Sequence, residues 1–384
     1  MEKYINRAIR NAFLKKMKPN KAILLLGARR VGKTSFLEHF VKENTKEPVL
    51  KLNGEDLTTV EILKQRTVEN YKRLMGKNKI LIIDEAQKIP DIGQILKLMV
   101  DEIKGIKIIA TGSSMFDLAN QLGEPLTGRK ITFNLYPLAQ MEYSEEENMI
   151  QTKSLLEERL IYGSYPELIK YESNEEKAEY LKELVSSYLL KDILEHDGIK
   201  NSSKMINLLR LVAFQIGKEV SLDELGKKLG LSRNTVEKYL DLLEKVFVIY
   251  KVSGFSRNMR KEITKTSRWF FYDNGIRNTL IANFNPIAIR NDIGELWENY
   301  LLSERIKFQH YTGMIVNNYF WRTYYQQEID WIEERNGNLF AYEIKWSKNK
   351  KVKVPTAWKD SYPESKYTVI SQDNYLDFIT KPIV

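Results

Sequence analysis

Three short apolar runs punctuate the first third of the chain: Ala22 to Leu26, Ile80 to Ile83 and Ile106 to Ala110. The first two are blocks of consecutive apolar residues bounded by polar ones, and the third is interrupted only by Lys107, the pattern of a strand buried on both faces. Segments of helical period lie between them. The pattern therefore predicts strands alternating with helices, an α/β fold built on a parallel sheet with flanking helices. From about Pro137 to Ser203 the chain turns to charged, helix-period segments, interrupted at Gly163-Ser164-Tyr165-Pro166, where glycine and proline force a turn. This stretch reads as a helical lid or connector. Ser221 to Val252 carries two short helices and a rising strand, and from Trp297 onward a helix is followed by aromatic-rich strands. No internal repeat or low-complexity linker interrupts this order. The expected boundaries are 1–137, 138–203, 204–285 and 286–384.

Composition narrows the possibilities. At about 100–200 residues per domain, 384 residues suit two or three domains. A chain that is 43% hydrophobic and 29% charged is too apolar to stay disordered. No apolar run approaches the roughly 18 residues that span a bilayer, and Met1-Glu2-Lys3-Tyr4 opens no signal-peptide core, so neither membrane insertion nor secretion is expected. Cysteine is absent, which excludes disulfides, thiolate metal sites and cysteine nucleophiles and fits a reducing cytoplasm. His39, His196 and His310 are too scattered for a sequence-local metal site. The net charge of +9 suits a polyanionic partner only where the charge clusters.

Gly27-Ala28-Arg29-Arg30-Val31-Gly32-Lys33-Thr34 fits G-x-x-x-x-G-K-[ST] without a mismatch, and Ser35 follows it. The glycines let the backbone wrap closely, so its N–H groups face phosphate oxygens beside the positive end of the next helix. Lys33 is placed to reach the β and γ phosphates of ATP, and Thr34 to ligate Mg²⁺. The loop leads into an amphipathic helix carrying Phe36, Leu37, Phe40 and Val41. Downstream, Ile80-Leu81-Ile82-Ile83-Asp84-Glu85 ends a strand in two carboxylates: Asp84 for the metal, Glu85 as general base for the attacking water. That second acid favours hydrolysis over phosphoryl transfer to a small acceptor. Thr111-Gly112-Ser113-Ser114 brings hydroxyls to the same sheet edge, of which one, with Ser113 the candidate, orients the water or senses the γ-phosphate, although a plain turn explains the segment as well. Arg129 is either a charge stabiliser for the γ-phosphate, in its own or a neighbouring subunit, or a surface arginine.

These motifs, together with Asp84 to Pro90, Leu126 to Arg129, Tyr136-Pro137-Leu138 and Gly163 to Pro166, resemble a family of prokaryotic AAA+ ATPases. The resemblance spans almost the whole chain and implies an ATPase core, a winged helix and a C-terminal restriction-endonuclease-like domain.

Two later stretches bear on those expectations. Ser221-Leu222-Asp223-Glu224 has the form of a capping box, Gly230 breaks the first helix, and Ser232 caps a second carrying Val236, Leu240, Leu243 and Phe247. A short helix, a turn and a second helix make a helix-turn-helix. Residues 251–270 then hold six cations (Lys251, Arg257, Arg260, Lys261, Lys265, Arg268) and one acid, Glu262. Such a wing suits DNA phosphates, with Arg233, Asn234 and Thr235 in the major groove; a protein-contact surface is the alternative.

Near the C-terminus, Glu328 to Ile332 alternates polar and apolar residues, Leu339 to Lys345 reads as its hairpin partner, and Asn336-Gly337 supplies the turn. Asp330, Glu343 and Lys345 can then meet, the two carboxylates holding Mg²⁺ against a phosphodiester and Lys345 stabilising the attacking hydroxide or the transition-state charge. The arrangement resembles the PD-(D/E)XK nucleases, in which Glu298 matches an upstream acid, although no proline precedes Asp330. Lys345, Lys348, Lys350, Lys351 and Lys353 suit a backbone-tracking surface or a solvated loop. The expected molecule is an ATPase, a possible homo-oligomer, that couples nucleotide state to DNA through these parts. The competing readings are an ATP-controlled DNA-binding regulator and a signalling ATPase, each with an inactive nuclease-like domain.

Overall fold

The computed structural model describes residues 4–113, 126–189, 202–257, 267–347 and 352–381. These divide into two compact units, one formed by residues 6–136 and 245–247, the other by the remainder.

The first unit is built on β1 (Lys21–Leu26), β2 (Val49–Asn53), β3 (Ile80–Asp84), β4 (Lys107–Gly112) and β5 (Lys130–Asn134), in the order β2-β3-β4-β1-β5. Every pairing is parallel. The three apolar runs thus form the adjacent strands β3, β4 and β1, as a sheet covered on both faces requires. In register, Leu26 lies opposite both Gly112 and Asn134, and Asn53 opposite Asp84. The strand ends that carry the phosphate-loop and carboxylate motifs therefore share one edge. The helix Lys33–Asn44 turns Phe36 and Phe40 inward, where both meet the Phe13 ring at centroid distances of 5.3 and 4.9 Å.

The second unit is built on β6 (Glu219–Val220), β7 (Ile249–Gly254), β8 (Ser267–Phe271), β9 (Asn317–Arg322), β10 (Glu328–Arg335), β11 (Asn338–Ile344) and β12 (Lys366–Ile370). They form one mixed sheet in the order β12-β11-β10-β9-β7-β8-β6. The stretches 204–285 and 286–384 therefore share a sheet: β7 and β9 run parallel, with Ser253 opposite Tyr319 and Gly254 opposite Phe320. Asn336 and Gly337, with φ of 49° and 80°, make the tight turn between β10 and β11 that the sequence predicts.

The alternation expected along β10 is broken. Ile329 pairs with Trp321 but Ile332 with Tyr319, so β10 holds one extra residue. Ile329 and Ile332 consequently enter the same apolar cluster, with Trp321, Ala341 and Trp358, where a regular strand would turn them to opposite faces. Asp330 sits inside this bulge.

The helices Leu222–Leu229 and Arg233–Lys245 enclose a short turn. Gly230 closes the first in the left-handed conformation, with φ of 60°. Only half of the expected capping box forms: Ser221 Oγ accepts from Glu224 N, but the Glu224 carboxylate pairs with Lys228 at 2.7 Å. The Gly163 to Pro166 turn is tied to the start of the helix Asn274–Leu280, because the buried Asp273 carboxylate accepts from Ser164 N at 2.7 Å and Gly275 N at 2.8 Å. Among the described residues, no helix is long and apolar enough to cross a membrane.

Candidate functional sites

The loop after β1 owes its shape to close backbone contacts. A Cβ on Gly27 would stand 2.1 Å from the Leu135 carbonyl oxygen, so no larger residue fits without moving β5. Gly32, with φ of 89°, caps the helix Lys33–Asn44 without a side-chain hydrogen bond, which leaves the first-turn amides facing the loop. Lys33 is 6% exposed and donates from Nζ to the carbonyls of Gly27 (2.8 Å) and Ala28 (3.0 Å). Val31 is buried, whereas Arg30, Thr34 and Ser35 are exposed and Arg29 is half-buried.

A chain of hydrogen bonds joins this loop to β3 and β4. Thr34 Oγ1 donates to Asp84 Oδ2 at 2.9 Å, and Thr111 Oγ1 donates to Asp84 Oδ1. Glu85 N donates to Thr111 Oγ1 at 3.1 Å. Gln87 Nε2 donates to Glu85 Oε2 at 2.6 Å and to Ser113 Oγ at 3.1 Å. Asp84, Glu85, Thr34 and Ser113 are thus brought together from elements up to about eighty residues apart in sequence, and Ser114 lies outside the described residues. The Thr34 hydroxyl in the first turn of its helix and the Asp84 carboxylate at the end of β3 fit a hard divalent cation such as Mg²⁺.

Two arginines depart from the sequence expectation. Arg129 precedes β5, where Lys130 pairs with Ala22, so it sits at the start of the sheet while the phosphate loop leaves β1 after Leu26. The four residue steps from Ala22 to Leu26 put about 13 Å between the two edges at the usual strand rise. Arg129 binds Asp101 Oδ1 at 2.6 Å and does not serve the γ-phosphate site of its own chain. Arg7 carries no motif, yet its buried guanidinium donates to Val31 O at 2.7 Å and Tyr136 O at 2.6 Å, pinning the loop from behind. Nothing local in the sequence marks it.

A second constellation lies in the other unit. Glu298, from the helix Ile293–Thr312, lines a cavity of about 680 Å³ with Asp330, Glu328, Lys345 and Arg268. Lys345 Nζ stands 2.5 Å from Glu343 Oε1 and 3.8 Å from Asp330 Oδ2. The bulge aims Asp330 so that its Oδ2 also accepts from Ile344 N at 2.8 Å. Burial pushes the Glu343 carboxyl up to about 7, with the Asp330 charge as the second cause. Burial and Asp330 likewise hold Glu298 well above the usual carboxylate range, and burial raises Asp330 itself. Glu298 Oε1 and Glu343 Oε2 are buried acceptors without a hydrogen-bond partner. Among the described residues, no three carboxylates or histidines stand close enough to form a ready-made metal cage. The donor chemistry still fits a hard cation, because orphaned, mutually repelling carboxylate oxygens are what a divalent ion would satisfy.

The expected DNA-facing cations separate. Arg233 and Asn234 are exposed at the start of their helix, and Arg233 lies 3.4 Å from Asp223. Arg257 pairs with Glu334 at 3.1 Å, and Lys251 approaches the Trp269 ring at 6.0 Å. Arg268 is a correction: it is 5% exposed and faces the carboxylate cavity rather than a free wing. Arg260, Lys261, Glu262, Lys265, Lys348, Lys350 and Lys351 lie outside the described residues, and Lys353 is exposed.

Comparison with known proteins agrees with the first site. Residues 19–144 match the model of a family described as an AAA domain, while 153–286 and 293–381 each match a domain of unknown function. An uncharacterized protein of Mycobacterium tuberculosis is 25% identical over 329 residues, 84% of this chain and 70% of the relative. Another, from Methanocaldococcus jannaschii, is 27% identical over 272 residues, 66% of this chain and 60% of the relative. Among solved structures, AMPPCP-bound DnaA from Aquifex aeolicus is similar at 20% identity and a TM-score of 0.29, over 62% of this chain and 86% of that one. The AAA match supports a nucleotide-binding ATPase core.

Proposed function

We propose that the chain binds and hydrolyses ATP with Mg²⁺ in the manner of AAA+ proteins, and that nucleotide state governs a winged helix and a nuclease-like domain acting on DNA. The observation that carries the ATPase part is the Thr34 to Asp84 contact at 2.9 Å, with Lys33 buried in the loop beside it. In this reading the loop amides and Lys33 bind the phosphates, and Thr34 and Asp84 hold the metal. Magnesium, when bound, neutralises charge developing on the β and γ phosphate oxygens. Glu85 accepts the proton of the attacking water as that water's oxygen bonds to the γ-phosphorus and the bond to the ADP oxygen breaks. Gln87 orients Glu85 and ties it to Ser113, which reads the γ-phosphate. Steady-state phosphate release tests this: it should collapse in Lys33→Ala and in Glu85→Gln while both variants stay folded, and unchanged turnover in both would end the reading.

The nuclease-like part rests on the convergence of Asp330, Glu343, Lys345 and Glu298. Mg²⁺-dependent DNA cutting that disappears in Asp330→Ala or Lys345→Ala would support it. A second reading, a signalling ATPase that contacts protein, is favoured by the cavity of about 610 Å³ along the second helix of the pair, where Glu237, Asp241 and Glu244 are mixed with Arg233, Lys238 and Lys251. A lining of mixed charge suits a protein surface better than a row of phosphates. A gel shift at stated salt, with and without ATP, separates the two, because protein contact alone predicts no shift.

A further inference from the structure

The carboxylate cavity has a wall supplied by the stretch that carries the helix pair. Arg268 enters it from β8, far in sequence from Asp330 and Lys345. Its guanidinium stacks over Phe320 at 4.6 Å from the ring centroid, meets Glu328 Oε2 at 2.8 Å, and reaches Glu298 Oε1 only at 4.0 Å. Its Nε is buried without a hydrogen-bond partner. Beside it, Gly217 N donates to Trp269 O at 3.2 Å, and a Cβ on Gly217 would stand 3.5 Å from both Glu298 carboxylate oxygens. The loop before β6 therefore backs the same carboxylate that Arg268 faces. Arg322, which also lines the cavity, is engaged by Glu219 at 2.6 Å.

Burying a guanidinium is costly unless its donors are matched, and here they are matched incompletely. One donor is orphaned and one carboxylate is held at ion-pair distance, beyond a hydrogen bond. The Phe320 ring and Glu328 fix the guanidinium plane, and Nη1, which has only Glu298 at 4.0 Å, is the donor left for a phosphate oxygen. Lys345 already sits between Glu343 and Asp330, so Arg268, which bonds Glu328 but stands 4.0 Å from Glu298, is the cavity cation with donors still unmatched.

We propose that Arg268 is the phosphate-binding cation of this cavity, contacting an oxygen of a DNA phosphodiester next to the metal-binding carboxylates. The inference rests on the nuclease-like reading of those carboxylates. It makes the site composite: β8 provides the phosphate contact, and β10 and β11 the metal acids.

The test uses the full chain. Mn²⁺ binding is measured by calorimetry without DNA, and binding of a short labelled duplex is measured with and without Ca²⁺. The wild type should show Mn²⁺ heat and a Ca²⁺-dependent gain in duplex affinity. Arg268→Gln should lose at least about tenfold of that gain, the loss of one charge-assisted hydrogen bond, while keeping Mn²⁺ heat. Arg268→Lys, which keeps the charge but not the fork, should lose less and guards against a folding defect in the first variant. Mn²⁺ heat with a Ca²⁺-dependent gain unchanged in folded Arg268→Gln, or with no gain in the wild type, would overturn the assignment and leave the metal reading standing. Absence of Mn²⁺ heat in the wild type would overturn the metal reading and the assignment with it.

Discussion

The phosphate loop and the carboxylate cavity solve the same problem, gathering charge, by opposite means. In the loop, the backbone does the gathering: Gly27 and Gly32 set the path, and Thr34, Asp84, Thr111, Glu85 and Gln87 satisfy one another in sequence. In the cavity, side chains from β8, β10, β11 and a helix converge, and burial, with repulsion between carboxylates as a lesser cause, raises the pKa values of Glu298, Asp330 and Glu343. The first is preorganised by hydrogen bonds from neutral groups. The second stores unfavourable charge that a bound cation would relieve.

The sharpest way to break this contrast is at Lys33. Lys33→Ala should lower phosphate release by about a hundredfold or more, as loss of one preorganised transition-state donor does, with little change in thermal melting. A large fall in melting temperature would mean that the loop, too, is held together by its charges.

The next effect is a slope with pH. The folded-state value of about 7 for Glu343 lies above its ordinary 4.5, so the folded chain binds the extra proton in that window. Stability should therefore fall as pH rises from about 4.5 to 7, by at most about 3 kcal/mol from this group, since each unit is worth about 1.4 kcal/mol. Denaturant melts across that range should show the decline in metal-free chain, and a shallower one in Glu343→Gln.

Thr111→Val removes the donor to Asp84 and the acceptor of Glu85 N at once. It should cost about 2 kcal/mol, visible as a lower denaturation midpoint, and should raise the Mg²⁺ concentration needed for half-maximal turnover. Asp330→Asn is the smallest and has the opposite sign. Removing one repelling charge should stabilise the metal-free chain at pH 8 by about 1 kcal/mol while abolishing Mn²⁺ heat. A destabilised Asp330→Asn would show that its bond from Ile344 N outweighs the repulsion.

What the sequence made legible follows the same divide. Ala22 to Leu26, the loop and the Asp84-Glu85 pair are local patterns, and local patterns fix a strand, a tight turn and a helix start. Arg129 misled because proximity along the chain does not say which end of a strand a residue occupies; only the pairing of Lys130 with Ala22 does. Arg268 misled because a run of cations reads as a solvated wing until a strand partner turns one inward. The extra residue at Asp330 and the reach of Arg7 to Val31 depend on pairings that no single segment encodes.

The join between β7 and β9 has a practical corollary. Phe255 N also donates to Phe320 O at 2.7 Å, so the two family-sized stretches on either side of residue 290 are stitched by main-chain bonds. Severing the polypeptide there would leave each fragment with a raw sheet margin that invites stray pairing and precipitation. The two fragments should instead be coexpressed, when each would serve as the other's missing strand.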